Sequence, residues 1–236
     1  MYELLQSITE SAKKTLQAQQ VNANNLANAS TVGFKAEIAY YLNQEDGLTL
    51  ESMPDFSPGL VQQTGRPLDV SIQGDGWLAI LAPDGSETYT RRGDLQVDAF
   101  GQLTTGTGQS VLGNNGPIAL PPFSSVEIGA DGTISIVPVG QQPNTLAVVD
   151  RLKLVSLDGA NLQRREDGQL QLPDGEIAAP DASVRVISGA VESSNVNVVG
   201  ELVRMIDLAR RFESEIQLMQ NAKENSSALA SVMNLN

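Results

Sequence analysis

A chain of 236 residues with 28 acidic against 15 basic side chains carries a formal net charge of −13. That balance argues against nucleic acid as a partner, since it offers no basic surplus to neutralise a row of phosphates. It contains no cysteine and no histidine, so disulfide staples, Ser-His-Asp or Cys-His catalysis and ordinary zinc sites are excluded as well.

In chain order, residues 3 to about 28 lack glycine and proline and place Leu4, Leu5, Ile8, Ala12 and Leu16 at helical spacing. The stripe is narrow and turns polar at Gln17, Gln19, Gln20 and Asn22. Its end is unusual: Asn24, Asn25, Leu26 and Asn28 are followed by Ser30-Thr31 and then Gly33-Phe34. Asparagine competes for nearby backbone groups and does little for an isolated helix. The opening MYELLQSITESAKK has neither a basic n-region nor an apolar h-region, so no cleavable signal is expected. No apolar run reaches the roughly 18 residues that span a bilayer, and no transmembrane segment is expected.

Residues 36–65, with Gly47, Pro54, Pro58 and Gly59, show no clear period and are expected to form an extended connector. From 66 to 197, Asp-Gly pairs at 75–76, 84–85, 131–132, 158–159, 167–168 and 174–175, with Asn-Asn-Gly at 114–116, mark tight turns. The runs between them (LDVSI, WLAIL, ETYTR, LQV, VEIG, TISIV, LKLVSL, SVRVI) read as short strands of an all-β domain. Over 198–236, Leu202, Met205, Ala209, Phe212, Ile216 and Met219 alternate in steps of three and four, a heptad seam. Arg211 and Glu215 are expected off that seam, on a solvated or partner-facing side. The seam breaks at Lys223 and Ser226 and resumes weakly at Ala230 and Met233. The fold class expected is α+β: terminal helices (1–35 and 198–236) paired as a coiled coil, with a central all-β domain. Two narrow-seamed helices alone bury little, which favours self-assembly over an isolated hairpin.

No motif requires a cofactor, and no enzyme is expected. The aspartates mostly precede glycine, where they cap turns. TTGTGQS (104–110) lacks the lysine and the following helix of a phosphate loop, and Asp94 and Asp98 lack a calcium-loop spacing. Arg91-Arg92 reads as pairing with local carboxylates. Trp77, the single tryptophan, is a core or interface anchor, or alternatively a stacking platform for a glycan.

NNLANASTVGFKAE (24–37) resembles the N-terminal signature of the flagellar basal-body rod and hook proteins. The similarity continues in GRPLDVSIQGDGWLAI (65–80), YTRRGDLQVDAFGQL (89–103) and GQSVLG (108–113). It closes in SNVNVVGELVRMIDLARRFE (194–213), with Asn195 and Asn197 in the Ser-Asn-Val-Asn block. The single β-domain and short connector resemble a rod rather than the hook protein. Trp77, where the distal-rod protein usually has phenylalanine, is most similar to a proximal-rod member. The resemblance implies a structural subunit of the flagellar basal body whose helices line the inner tube of a periplasmic drive shaft, with the β-domain outside. It implies partners in copies of itself, inner proximal-rod subunits and the distal-rod protein. Export would be through the flagellar type III apparatus, with termini disordered until assembly. In that setting the Asn24, Asn25 and Asn28 amides are expected to bond to neighbouring backbones. Ser30 and Thr31 would serve local groups, Gly33 would take a bend and Phe34 would anchor the exit. The alternatives are a distal-rod or other axial protein, or a secreted β-domain that binds glycan or peptidoglycan on a helical stalk.

Overall fold

A computed structural model describes residues 2–44, 47–142, 145–157, 162–165 and 168–233, without the side chains of 2–4, 43–44, 47–48, 174 and 226–233. Leu4, Ala230 and Met233 of the expected stripes, and the turn at 158–159, therefore lie outside the described side chains or residues. The chain divides into two compact units, one of Met1–Ala29, Ala36–Asp55 and Val196–Asn236, the other of Ser30–Lys35 and Phe56–Asn195.

The first unit holds two long helices, α1 (Tyr2–Ala27) and α2 (Val198–Met233), and a hairpin of β1 (Glu37–Gln44) and β2 (Gly47–Pro54). The helices pack together antiparallel, since Thr9 lies beside Met219, Thr15 beside Glu215 and Asn22 beside Glu201. The hairpin corrects the expectation of an extended connector over this stretch. It pairs in unbroken register from Glu37 opposite Pro54 to Gln44 opposite Gly47. Alternation was hidden because both faces carry large side chains: Ile38, Tyr41, Leu42 and Met53 are all exposed.

The second unit is all β. Its early strands are β3 (Val61–Gln63), β4 (Val70–Ile72), β5 (Gly76–Leu81), β6 (Glu87–Thr90), β7 (Leu95–Val97), β8 (Leu103–Thr105), β9 (Ser110–Gly113) and β10 (Gly116–Pro117). A three-stranded sheet follows, β11 (Phe123–Ile128), β12 (Thr133–Pro138) and β13 (Ala147–Arg151). Then come β14 (Leu154–Ser156), β15 (Gln163–Arg164), β16 (Leu170–Gln171), β17 (Val186–Ser188) and β18 (Ala190–Glu192). The largest sheet runs β15-β16-β6-β5-β9-β8-β7, with β10 on β9 and β14 on β5. Two further pairs, β17 with β4 and β18 with β3, tie the end of the unit to its beginning.

The run WLAIL is apolar throughout because β5 is buried on both faces. Leu78 and Ile80 join one core with Val70, Leu95, Leu103, Ile134 and Leu154. Trp77 and Ala79 join a second with Tyr89, Val155 and Leu170. A strand buried on both sides loses the period-two alternation that marks a half-exposed one. Trp77 is 3% exposed and meets Phe56 edge-to-face, with ring centroids 5.6 Å apart. That corrects the stacking-platform alternative: no face of the indole is open to a glycan. Among the described residues no helix is long and apolar enough to cross a membrane, and no cluster of acidic side chains is placed to hold a metal.

Candidate assembly site

The seam between α1 and α2 differs from the expected one. On α1, Leu5 and Ile8 are half-buried, and Ala12, Thr15, Asn22 and Asn25 are buried, with Leu26 half-buried; Leu16, expected in the stripe, is 42% exposed. On α2, Phe212, Ile216 and Met219 face inward as expected, but Leu202, Met205 and Ala209 are exposed. The positions that replace them are Glu201, Leu208, Glu215 and Ala222, each half-buried or buried. Glu215, expected on the solvated side, is only 7% exposed and accepts hydrogen bonds from Ser11 Oγ (2.6 Å) and Thr15 Oγ1 (3.1 Å). Asn22 Nδ2 donates to the Glu201 backbone oxygen (3.0 Å) and to its carboxylate. Polarity misplaces the seam: Glu215 reads as a surface residue, yet hydroxyl donors on α1 make its carboxylate tolerable inside, as the Asn22 amide does for Glu201. Val198, Val199, Leu202, Val203 and Ile206 remain as an exposed apolar stripe on the first turns of α2.

The asparagine run resolves into two local devices. Asn25 is buried and forms a two-way bond with the backbone of Glu37, its Nδ2 donating to the oxygen and its Oδ1 accepting from the N–H, both at 2.8 Å. An amide is the side chain that can imitate one rung of a strand ladder in this way. Asn28 Nδ2 donates to the oxygen and to Oδ1 of Asn24, both at 3.0 Å, closing the last turn of the helix.

In the second unit, three segments are bonded into one junction: 33–35, 57–59 and 192–195. Gly33 takes φ +67°, and a Cβ there would lie 2.4 Å from the Arg91 carbonyl carbon. Its N–H donates to Glu192 O (2.8 Å). The ring of Phe34 lies 5.1 Å from the Arg164 guanidinium. Asn195 Nδ2 donates to Ser57 O and Oγ, each at 3.1 Å. The centre of the junction is ionic. Lys35 Nζ lies 2.6 Å from Glu192 Oε1, with side chains 2% and 3% exposed, and also donates to Ser57 O. Glu192 further accepts from Gly59 N–H (2.9 Å) and faces Arg91 at 3.5 Å. Arg91 bonds to the carbonyls of Ile72 and Gly74 and lies over Trp77. Burial lowers its pKa, opposed by the charges of Glu192 and Asp75. Arg92 makes a two-pronged pair with Asp94 at 2.7 and 2.9 Å, so the Arg-Arg pair is committed to local carbonyls and carboxylates as expected. Lys35 and Glu192 carry no sequence signal of their own beyond their place beside the matched motifs. Asn197 sits at the start of α2, where its Oδ1 accepts from Gly200 N–H (3.1 Å) and caps the helix.

The fold is one of paired terminal helices and an all-β unit in a single chain, an architecture fit for a structural subunit rather than an enzyme pocket. The comparisons agree along the chain. Family models described as "Flagella basal body rod protein", "Flagellar hook protein FlgE/F/G D1 domain" and "Flagellar basal body rod FlgEFG protein C-terminal" match residues 8–35, 71–136 and 187–232. Flagellar basal-body rod protein FlgF of Salmonella typhimurium is 45% identical over 230 residues, covering 91% of both chains. FlgF of Escherichia coli K12 is 45% identical over 231 residues, covering 91% of this chain and 92% of its own. FlgG of Buchnera aphidicola subsp. Schizaphis graminum is 33% identical over 239 residues, covering 86% and 90%. The chain belongs to the flagellar basal-body rod protein family, is FlgF-like, and is a structural subunit of the rod.

The junction makes two expected outcomes. Lys35→Met leaves Glu192 buried beside a lost partner and should destabilise the β-unit by about 3–5 kcal/mol, read as a lower urea midpoint of Trp77 fluorescence. Gly33→Ala should cost at least about 1–2 kcal/mol from its left-handed backbone alone, by the same readout; an unchanged midpoint in either variant contradicts this account.

Proposed function

We propose that this subunit acts by assembly rather than catalysis. Its terminal helices would form a coiled-coil inner-tube domain, with the β-unit outside, in the proximal part of a shaft that transmits torque across the periplasm. The observation that supports this reading most is the seam itself, narrow and partly polar, which gives two helices little reason to stay folded without neighbours. Exposed Leu202, Met205, Ala209 and Leu16, which do not pack within the chain, are then contact residues for other subunits. The partners are further copies, inner proximal-rod subunits and the distal-rod protein. Export through the flagellar type III apparatus would suit a cysteine-free chain that must travel extended. An acidic chain of net charge −13 suits solubility on the way.

Hydrogen exchange on the purified subunit should show protected amides in β5, β6 and β9 and rapidly exchanging amides in α1 and α2. Full protection of both helices in the free subunit would defeat the reading. Asn25→Ala removes both bonds to Glu37, costs about 1–3 kcal/mol at that rung, and should reduce swimming while Trp77 fluorescence stays native; normal motility contradicts it.

A further inference from the structure

Glu215 occupies a seam position where an apolar residue would bind better, and its surroundings give it a purpose. One carboxylate oxygen is held by Ser11 and Thr15. The other, Oε2, has no hydrogen-bond partner among the described residues, and neither does Asn22 Oδ1 further along the seam. A polar residue inside an apolar seam lowers its strength and fixes its register. Sliding α2 by one heptad shows how. In one direction Glu215 would face Leu4 and Ile8, which offer no side-chain donor. In the other it would face Ala18 and Asn22, while Glu201 would move from Asn22 to Ala29. Only the observed register gives both glutamates a donor.

We propose that Glu215 is the register-setting residue of the helix pair. It selects one alignment of α1 on α2 and keeps the pair weak enough to form only where other helices surround it. The inference rests on the reading of the chain as a subunit assembled through its terminal helices. It predicts opposite outcomes for two changes that both break the same contact. In the purified full chain, Glu215→Leu should raise the equilibrium for helix pairing about tenfold, seen as increased helix by circular dichroism. Ser11→Ala with Thr15→Val leaves the carboxylate buried without donors and should lower or abolish any such helix. In cells lacking the native subunit, Glu215→Leu should support poorer swimming than wild type despite its firmer pair, and Glu215→Gln, which keeps an acceptor, should restore it. Loss of helix in Glu215→Leu, or no change in helix, would overturn the proposal by making Glu215 an ordinary contact. Wild-type swimming in Glu215→Leu would overturn it by placing register control elsewhere. A wild-type chain that failed to restore swimming would instead count against the rod reading itself.

Discussion

Two helices joined by a narrow seam with polar residues in it gain little from apolar burial alone, and the design of the molecule follows from that constraint. Isolated helices are marginal in water, and most of their stability in proteins comes from tertiary packing of an apolar face. Here that face is broken on α1 by Thr15, Asn22 and Asn25 and on α2 by Glu201 and Glu215. The bonds these residues make are specific in direction but add little net free energy, about 1 kcal/mol each and more when charged. A second apolar stripe, Val199 to Ile206, remains uncovered on α2. On the proposed reading, a subunit that completes its helices only among neighbours would be the physical counterpart of membership in a rod family.

The β-unit is built on the opposite principle. β5 is buried on both faces between two apolar cores, and the ends of the unit are tied by pairing of β18 with β3 and of β17 with β4. Its junction segments are fixed by a buried ion cluster around Glu192, satisfied by Lys35, Arg91 and the Gly59 N–H. Removing one member of such a cluster is costly because the remaining charges stay buried. The unit therefore carries residues 33–35 and 192–195 as part of its own fold.

The turn chemistry of the middle of the chain is largely readable: Gly85, Gly116, Gly132 and Gly168 take positive φ at Asp-Gly or Asn-Gly pairs, whereas at 75–76 the preceding Gly74 does so and Gly76 opens a strand. The helices and their partnership were also readable, from the absence of glycine and proline and from the spacing of Phe212, Ile216 and Met219. Three features were not. The hairpin at 37–54 carries large side chains on both faces, so its period was masked. The short strands at 103–105, 110–113 and 190–192 are too brief to show a pattern. The true seam contains carboxylates, and hydropathy assigns a carboxylate to the surface unless its donors, two hundred residues away in sequence, are known. The family resemblance located the asparagine run, but only the geometry distinguished Asn25, which binds the hairpin backbone, from Asn24 and Asn28, which close the helix on itself.

The central claim is that α1 and α2 of one chain pair antiparallel in the observed register inside the assembled rod. Since the chain contains no native cysteine, Thr9→Cys with Met219→Cys, at side chains that meet with Oγ1 and Sδ 3.8 Å apart, treated with a short bis-thiol-reactive cross-linker that spans the gap left by the shorter side chains, tests it in isolated basal bodies. Cross-linking should join the two helices within single chains, seen as a linked peptide pair recovered from the monomer-size band. Links between chains, or no link at all, would contradict the account.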